Sequence, residues 1–177
     1  MAKHILITKA VLLGGSLVVA ASCSLTGHHP EEHPRKVGER VERLHREVVS
    51  ALGRTPTSDS GAFGRLCVED WEKGKTVKPD PGDPWKVTYN QFEFYVDIRL
   101  AVKEQNDIPL IYGALVRNLN NAGGWKVGEQ KNMAGYPGTV SGEKDDVQLS
   151  AHDTPDGRGG HIVYVSLQSD CYRHPHG

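Results

Sequence analysis

Nine histidines stand among the 177 residues, and two groups of them carry chemical potential. His152 and Asp153 are adjacent, Ser150 lies two residues earlier, and His161 follows a turn-forming stretch. A hydroxyl, an imidazole and a carboxylate are the parts of a hydrolase in which the base takes the hydroxyl proton and the acid orients the base. His152, Asp153 and His161 are therefore the catalytic candidates. The chain has no Gly-x-Ser-x-Gly elbow and no visible oxyanion site, so the competing reading is a set of polar residues at a hairpin end. The second group is His28, His29 and His33, with Glu31 or Glu32 and the late residues His174 and His176. Imidazole and carboxylate donors suit Zn or Cu. Pro30 and Pro34 limit local folding, so the competing reading there is a soluble spacer.

Other fragments lack what their chemistry needs. Gly74-Lys75-Thr76 ends like a phosphate-binding loop, but Glu69 stands where that loop requires glycine. Ser141-x-x-Lys144 has the spacing of penicillin-binding enzymes but falls in an expected hairpin, without their partner motifs. Asp145-Asp146 and Asp80-Pro-Gly-Asp83 read as turns. Trp71, Trp85, Trp125, Tyr89, Tyr95 and Tyr112 are either core or a binding surface, with Tyr95 expected on the outer face of its strand. No catalytic residue, resident metal or cofactor is assigned from these patterns.

The first residues concern address. Lys3 and Lys9 precede an apolar run through Leu12, Leu13, Leu17, Val18 and Val19, ending in Ala20-Ala21-Ser22-Cys23. A basic start, a short apolar stretch and small residues describe a secretory signal. The uncharged stretch is shorter than the roughly 20 residues that span a bilayer. Ala20-Ala21-Ser22-Cys23 resembles the lipobox of bacterial lipoprotein precursors, with Ala20 where that family usually has Leu. The resemblance implies diacylglycerol on the Cys23 thiol, cleavage before it by signal peptidase II, and anchoring on the outer face of the cell membrane. The alternative is an ordinary signal cleaved near Ala21.

With Cys23 lipidated, Cys67 and Cys171 remain. Two thiols in an exported chain are expected to pair, the alternative being two separate buried thiols. Removing residues 1–22 leaves 155 residues and takes two lysines, so 19 basic residues face 22 acidic ones. That is one domain's length, and its near-neutral balance speaks against a nucleic-acid partner.

Ser24–Arg35, with two prolines and no apolar period, reads as a flexible stalk. Val37, Val41, Leu44, Val48 and Leu52 recur at helical spacing, closed by Gly53 as C-cap. Phe63–Glu69 reads as a short strand. Trp85–Lys103 alternates with period two through Phe92, Phe94, Val96, Ile98, Leu100 and Val102, and is long enough to bend or bulge near Asn90 into two segments. Asp107 is the expected N-cap of a second helix marked by Ile108, Ile111, Tyr112, Leu115 and Leu119. Strands follow at Trp125–Gln130, within Gly138–Ala151, and at His161–Gln168.

This order predicts an α+β fold, with two helices packed on one face of an antiparallel sheet of about four to five strands, a two-layer sandwich. The predicted organisation is a signal peptide over 1–22, an anchor and stalk over 23–35, one domain over 36–173 and a disordered tail over 174–177. The pattern also resembles small actinobacterial cell-envelope lipoproteins. The function expected is a non-enzymatic binding or scaffolding domain, attached to the membrane through Cys23 and engaging an envelope protein or small ligand. The alternatives are an envelope hydrolase using His152, Asp153 and His161, and metal capture by the histidine-rich stalk and tail.

Overall fold

The computed structural model describes residues 29–67, 75–131 and 137–176. The signal segment, Cys23, His28, Gly74 and Trp71 lie outside the described residues.

The first helix, α1 (Pro34–Leu52), starts where His33 accepts a hydrogen bond from the Arg35 N–H through its ring nitrogen and Pro34 supplies a preset φ. It ends at Gly53, whose φ of 62° is the left-handed C-cap conformation. Its stripe of Val37, Val41, Leu44 and Val48 is fully buried. The second helix, α2 (Ile108–Ala122), packs beside it, and the Asn118 side chain donates to the Ala51 carbonyl at 2.8 Å. Asp107 does not cap α2. A short 3-10 turn over Gln105–Asp107 leads directly into the helix, leaving Asp107 in helical backbone geometry. Its carboxylate instead lies 3.9 Å from Arg54.

The strands are β1 (Ser58–Asp59), β2 (Phe63–Leu66), β3 (Gln91–Val102), β4 (Lys126–Lys131), β5 (Pro137–Lys144), β6 (Val147–Pro155), β7 (His161–Ser169) and β8 (Tyr172–Arg173). They form one antiparallel sheet of eight strands rather than four or five, in the order β1-β3-β7-β6-β5-β4, with β2 and β8 also pairing to β3. Two of the extra strands, β1 and β8, are two-residue pieces that no periodicity reveals. The third arises because the 138–151 segment folds into β5 and β6. Asp145 and Asp146, both at positive φ (51° and 60°), make the two-residue turn between them.

Strand β3 begins at Gln91, not at Trp85. The Asp83 carboxylate accepts the backbone N–H groups of Trp85 (3.1 Å) and Val87 (3.4 Å), which holds residues 83–87 in a turn. Trp85 then packs on Gly38 of α1, where a Cβ would stand 2.6 Å from its ring. Phe92, Phe94, Val96 and Ile98 alternate inward as predicted, and with Val140, Leu149, Val163 and Val165 they form the core under the helices.

Cys67 and Cys171 form a disulfide beside the start of β3. Both predicted domain boundaries move outward. Glu31 bridges to Arg173 and Glu32 pairs with Arg40 at 2.7 Å, so residues 31–35 belong to the domain rather than to a stalk. The expected tail is likewise folded at its start: His174 is 1% exposed, and its backbone N–H donates to the Asn90 carbonyl at 2.8 Å.

Candidate functional site

Side chains alternate between the two faces of a strand. Because both helices cover one face, every second residue of the central strands lies on the opposite, outer face, which no helix among the described residues covers. Register brings these residues into transverse rows. The middle row runs Asp97–Ser166–Ser150–Ser141–Gly128 across β3, β7, β6, β5 and β4. Its members after Asp97 are short and uncharged, and a Cβ added at Gly128 would meet open space. On one side lies the row Tyr95–Gln168–Gln148–Glu143–Lys126, and on the other Arg99–Tyr164–His152–Thr139–Gln130. The result is a shallow trough between two ridges of longer side chains. At ~4.8 Å between strands and ~3.4 Å per residue, it is about 19 Å long and about 14 Å from ridge to ridge.

The ridges are internally braced. Arg65 lies 4.1 Å over the Tyr95 ring while its Nε donates to Glu93 at 2.6 Å. Gln168 donates to the other Glu93 oxygen at 2.9 Å. Phe63, 41% exposed, meets Tyr95 edge-on. On the second ridge Arg99 lies 5.3 Å over the Tyr164 ring and donates to Asp97 at 2.8 Å, and His152 stacks flat on Tyr164. Within the face, Asp97 is thus matched by Arg99 and Glu93 by Arg65. Tyr95 sits on the outer face, as its alternation predicted, though partly covered by Arg65 and Phe63.

The hydrolase candidates are separated by the same alternation. His152 and Ser150 are on the outer face, whereas Asp153 is on the inner face beside α2. There it accepts a hydrogen bond from the Tyr112 hydroxyl at 3.2 Å and stands 3.3 Å from His161 Nδ1, without an aligned hydrogen bond. Burial, then the neighbouring Asp153 charge, pushes the Tyr112 hydroxyl pKa well up, so it stays a proton donor. The structure therefore brings Asp153 and His161 together, adds Tyr112, and leaves His152 and Ser150 on the far side of the sheet. Two surface depressions, one at Lys36, Arg40, Arg43 and Trp85 and another at Val102, Asp156 and Arg158, contain none of the three.

The metal-ligand candidates divide differently. His28 is outside the described residues, and His29 lies just ahead of the bridge formed by Glu31. His33, His174 and His176 converge on one carboxylate, that of Asp80. His33 Nε2 stands 2.8 Å from Oδ2, His176 Nε2 3.1 Å from Oδ1, and His174 Nε2 3.9 Å from Oδ2. The rings of His174 and His176 are 5.5 Å apart. Burial, reinforced by His176 and His33 against the opposing charges of Asp80 and Asp83, pushes the His174 pKa down and favours its neutral form. Asp80 is the member that sequence reasoning missed, because Asp80-Pro-Gly-Asp83 explained itself as a turn. Among the described residues, no group of three or more His, Cys, Asp or Glu side chains is placed so that it could hold a metal ion. Among them, too, no helix is long and apolar enough to cross a membrane.

Comparison with known proteins shows that the chain matches no protein family and no curated protein, and that its fold matches no solved structure.

Proposed function

We propose that this protein is a lipid-anchored envelope protein, held to the outer face of the membrane through Cys23, whose uncovered sheet face binds a neutral, hydroxyl-rich glycan chain without catalysing its cleavage. The observation that carries the reading is the row Ser166–Ser150–Ser141–Gly128 between the Tyr95 and Tyr164 ridges. Three hydroxyls in line offer donors and acceptors to a polymer's own hydroxyls. Tyr95 and Tyr164 add a further hydroxyl on each ridge, their rings being packed by Arg65 and Phe63 on one side and by Arg99 and His152 on the other. The pairing of Arg99 with Asp97 and of Arg65 with Glu93 leaves little unmatched charge on the face, so a neutral ligand fits better than an anionic or cationic one. The separation of His152 and Ser150 from Asp153 and His161 favours binding over hydrolysis. The lipobox-like Ala20-Ala21-Ser22-Cys23 supports the address.

The test has two arms. Soluble mature protein carrying Cys23→Ser is titrated with N-acetylglucosamine oligosaccharides and sedimented with purified wall glycan. Saturable binding that Ser150→Arg reduces at least tenfold, with the thermal midpoint unchanged, is the expected result. Binding by that variant equal to the parent, or no binding by the parent, sinks the glycan reading. In cells, Cys23→Ala is expected to abolish metabolic lipid labelling and release the protein from membranes. Persistent labelling sinks the anchor.

A further inference from the structure

We infer that residues 172–176 form a pH-sensitive strap, which holds the segment just ahead of α1 against the fold at neutral pH and releases it in mild acid through proton uptake at the buried His174 ring.

The strap joins the two ends of the folded domain. The Glu32 N–H donates to the Arg173 carbonyl at 3.1 Å, and the Arg173 N–H donates to the Pro30 carbonyl at 2.9 Å. Arg173 also pairs with Glu31 at 2.8 Å, and Arg40 donates to both Glu32 and the Tyr172 hydroxyl. The His174 N–H donates to the Asn90 carbonyl at 2.8 Å, which ties the strap to the start of β3. Tyr172 and His174 are buried, with their rings 6.1 and 6.2 Å from that of Phe92. Cys171, the residue before the strap, is bonded to Cys67. The strap can therefore swing away from the fold while its base stays fixed.

The hydrogen bonding at His174 requires a neutral ring. Its Nδ1 accepts the His176 N–H at 3.2 Å, which assigns the ring proton to Nε2. Nε2 is buried and has no hydrogen-bond partner. A second proton must go to Nδ1. There it removes the lone pair that holds the His176 N–H and sets two donors against each other. It also puts a full charge on a side chain that is fully buried.

The groups facing the ring do not balance that charge. The Asp80 carboxylate lies 3.9 Å from His174 Nε2, but it also stands 2.8 Å from His33 Nε2 and 3.1 Å from His176 Nε2. One carboxylate thus serves three imidazoles. Asp83 is engaged by the N–H groups of Trp85 and Val87, and Arg35 brings a further positive charge to the Gly82 carbonyl of the same turn. Burial, with the charges of His176 and His33, outweighs Asp80 and Asp83 and holds the His174 pKa below its ordinary 6.5. A base with a lowered folded pKa contributes its full stability above about 6.5 and loses it as pH falls from there towards the lower folded value. Opening the strap returns the ring to water without separating the central strands, so this local opening precedes unfolding of the domain. In the anchored form proposed above, it lengthens the tether between lipid and domain.

Hydrogen exchange of the full mature chain carrying Cys23→Ser, corrected for the intrinsic rate at each pH, tests the strap. Protection of the Glu32, Arg173 and His174 amides is expected to fall together by about tenfold between pH 8 and pH 5, while the amides of β6 and β7 stay protected. His174→Gln, whose side chain takes up no proton in this range, should abolish that response. A second readout needs no variant. The pH at which the three amides lose protection should coincide with titration of the His174 ring, followed by NMR through its carbon-bound protons. Constant protection across the range, simultaneous loss across the whole sheet, an acid response retained in His174→Gln, or release at a pH apart from the ring's titration would each overturn the strap. None of these outcomes depends on glycan binding.

Discussion

Glu47 shows how much a single residue can join. From the solvent edge of α1 its carboxylate accepts the Trp125 indole N–H at 3.0 Å and the Lys144 ammonium at 2.8 Å, and Lys144 also donates to the Gly123 carbonyl at 3.0 Å. One side chain thus ties α1 to the end of α2 and to β5. Burial alone would raise the Glu47 pKa, but the hydrogen bonds from Lys144 and Trp125, with the charges of Lys144 and Arg43, hold it below its ordinary value of 4.5. A carboxyl with a lowered folded pKa stabilises the fold fully above its unfolded pKa. That contribution is lost as pH falls from about 4.5 towards the lower folded value. Glu47→Gln is therefore expected to lower stability at pH 7 by about 1–3 kcal/mol, with the difference from the parent narrowing below pH 4.5. Urea unfolding at pH 7 and at acid pH measures this, and a gap that stays constant across the range would contradict it. Residue type was legible in the sequence for His33, His174 and His176 as candidate ligands. Asp80 was not, because its partners are separated from it by more than forty residues on one side and more than ninety on the other.

The elements were legible where one periodicity dominates. The stripe of α1 and the alternation of β3 are strong because each buries one whole side, and the fold cannot slip either without exposing it. Legibility failed where the chain reverses sharply. Asp145-Asp146 reads as a turn in a hairpin, yet only one strand is counted within Gly138–Ala151, where the structure has two. The start of β3 was misjudged because the Asp83 side chain captures the next four residues before pairing begins. Close packing between elements was also hidden from sequence. Gly38 looks like an ordinary helix glycine, but Trp85 lies where its Cβ would be. Gly38→Ala is expected to cost about 1–3 kcal/mol by overpacking, although alanine favours helix. Gly128→Ala, with open space around it, should leave the thermal midpoint nearly unchanged. Equal effects at the two positions in a melting experiment would contradict this account of α1 packing.

For the molecule as a whole, the Cys67–Cys171 disulfide closes a loop with a sequence separation of 104. In the chain-entropy description such a loop contributes about 4–5 kcal/mol, a large share of the roughly 5–15 kcal/mol that holds a typical domain together. Replacing both cysteines with alanine is expected to lower the denaturant midpoint sharply. A change under about 1 kcal/mol would mean that the denatured chain is already restrained near those residues. The even count of cysteines left after Cys23 was enough to expect this bond, since pairing in an exported chain follows from redox chemistry alone. Local periodicity was likewise enough for two helices against an antiparallel sheet. What only the tertiary structure decided is which residues share a face. Register aligned Ser166, Ser150 and Ser141 into one trough, the period of two put His152 and Asp153 on opposite sides of the sheet, and chain closure brought His33, His174 and His176 to Asp80. These are relations between distant segments, set by hydrogen-bond pairing across strands and by burial beneath the helices. Neighbouring residues in a sequence carry no record of them.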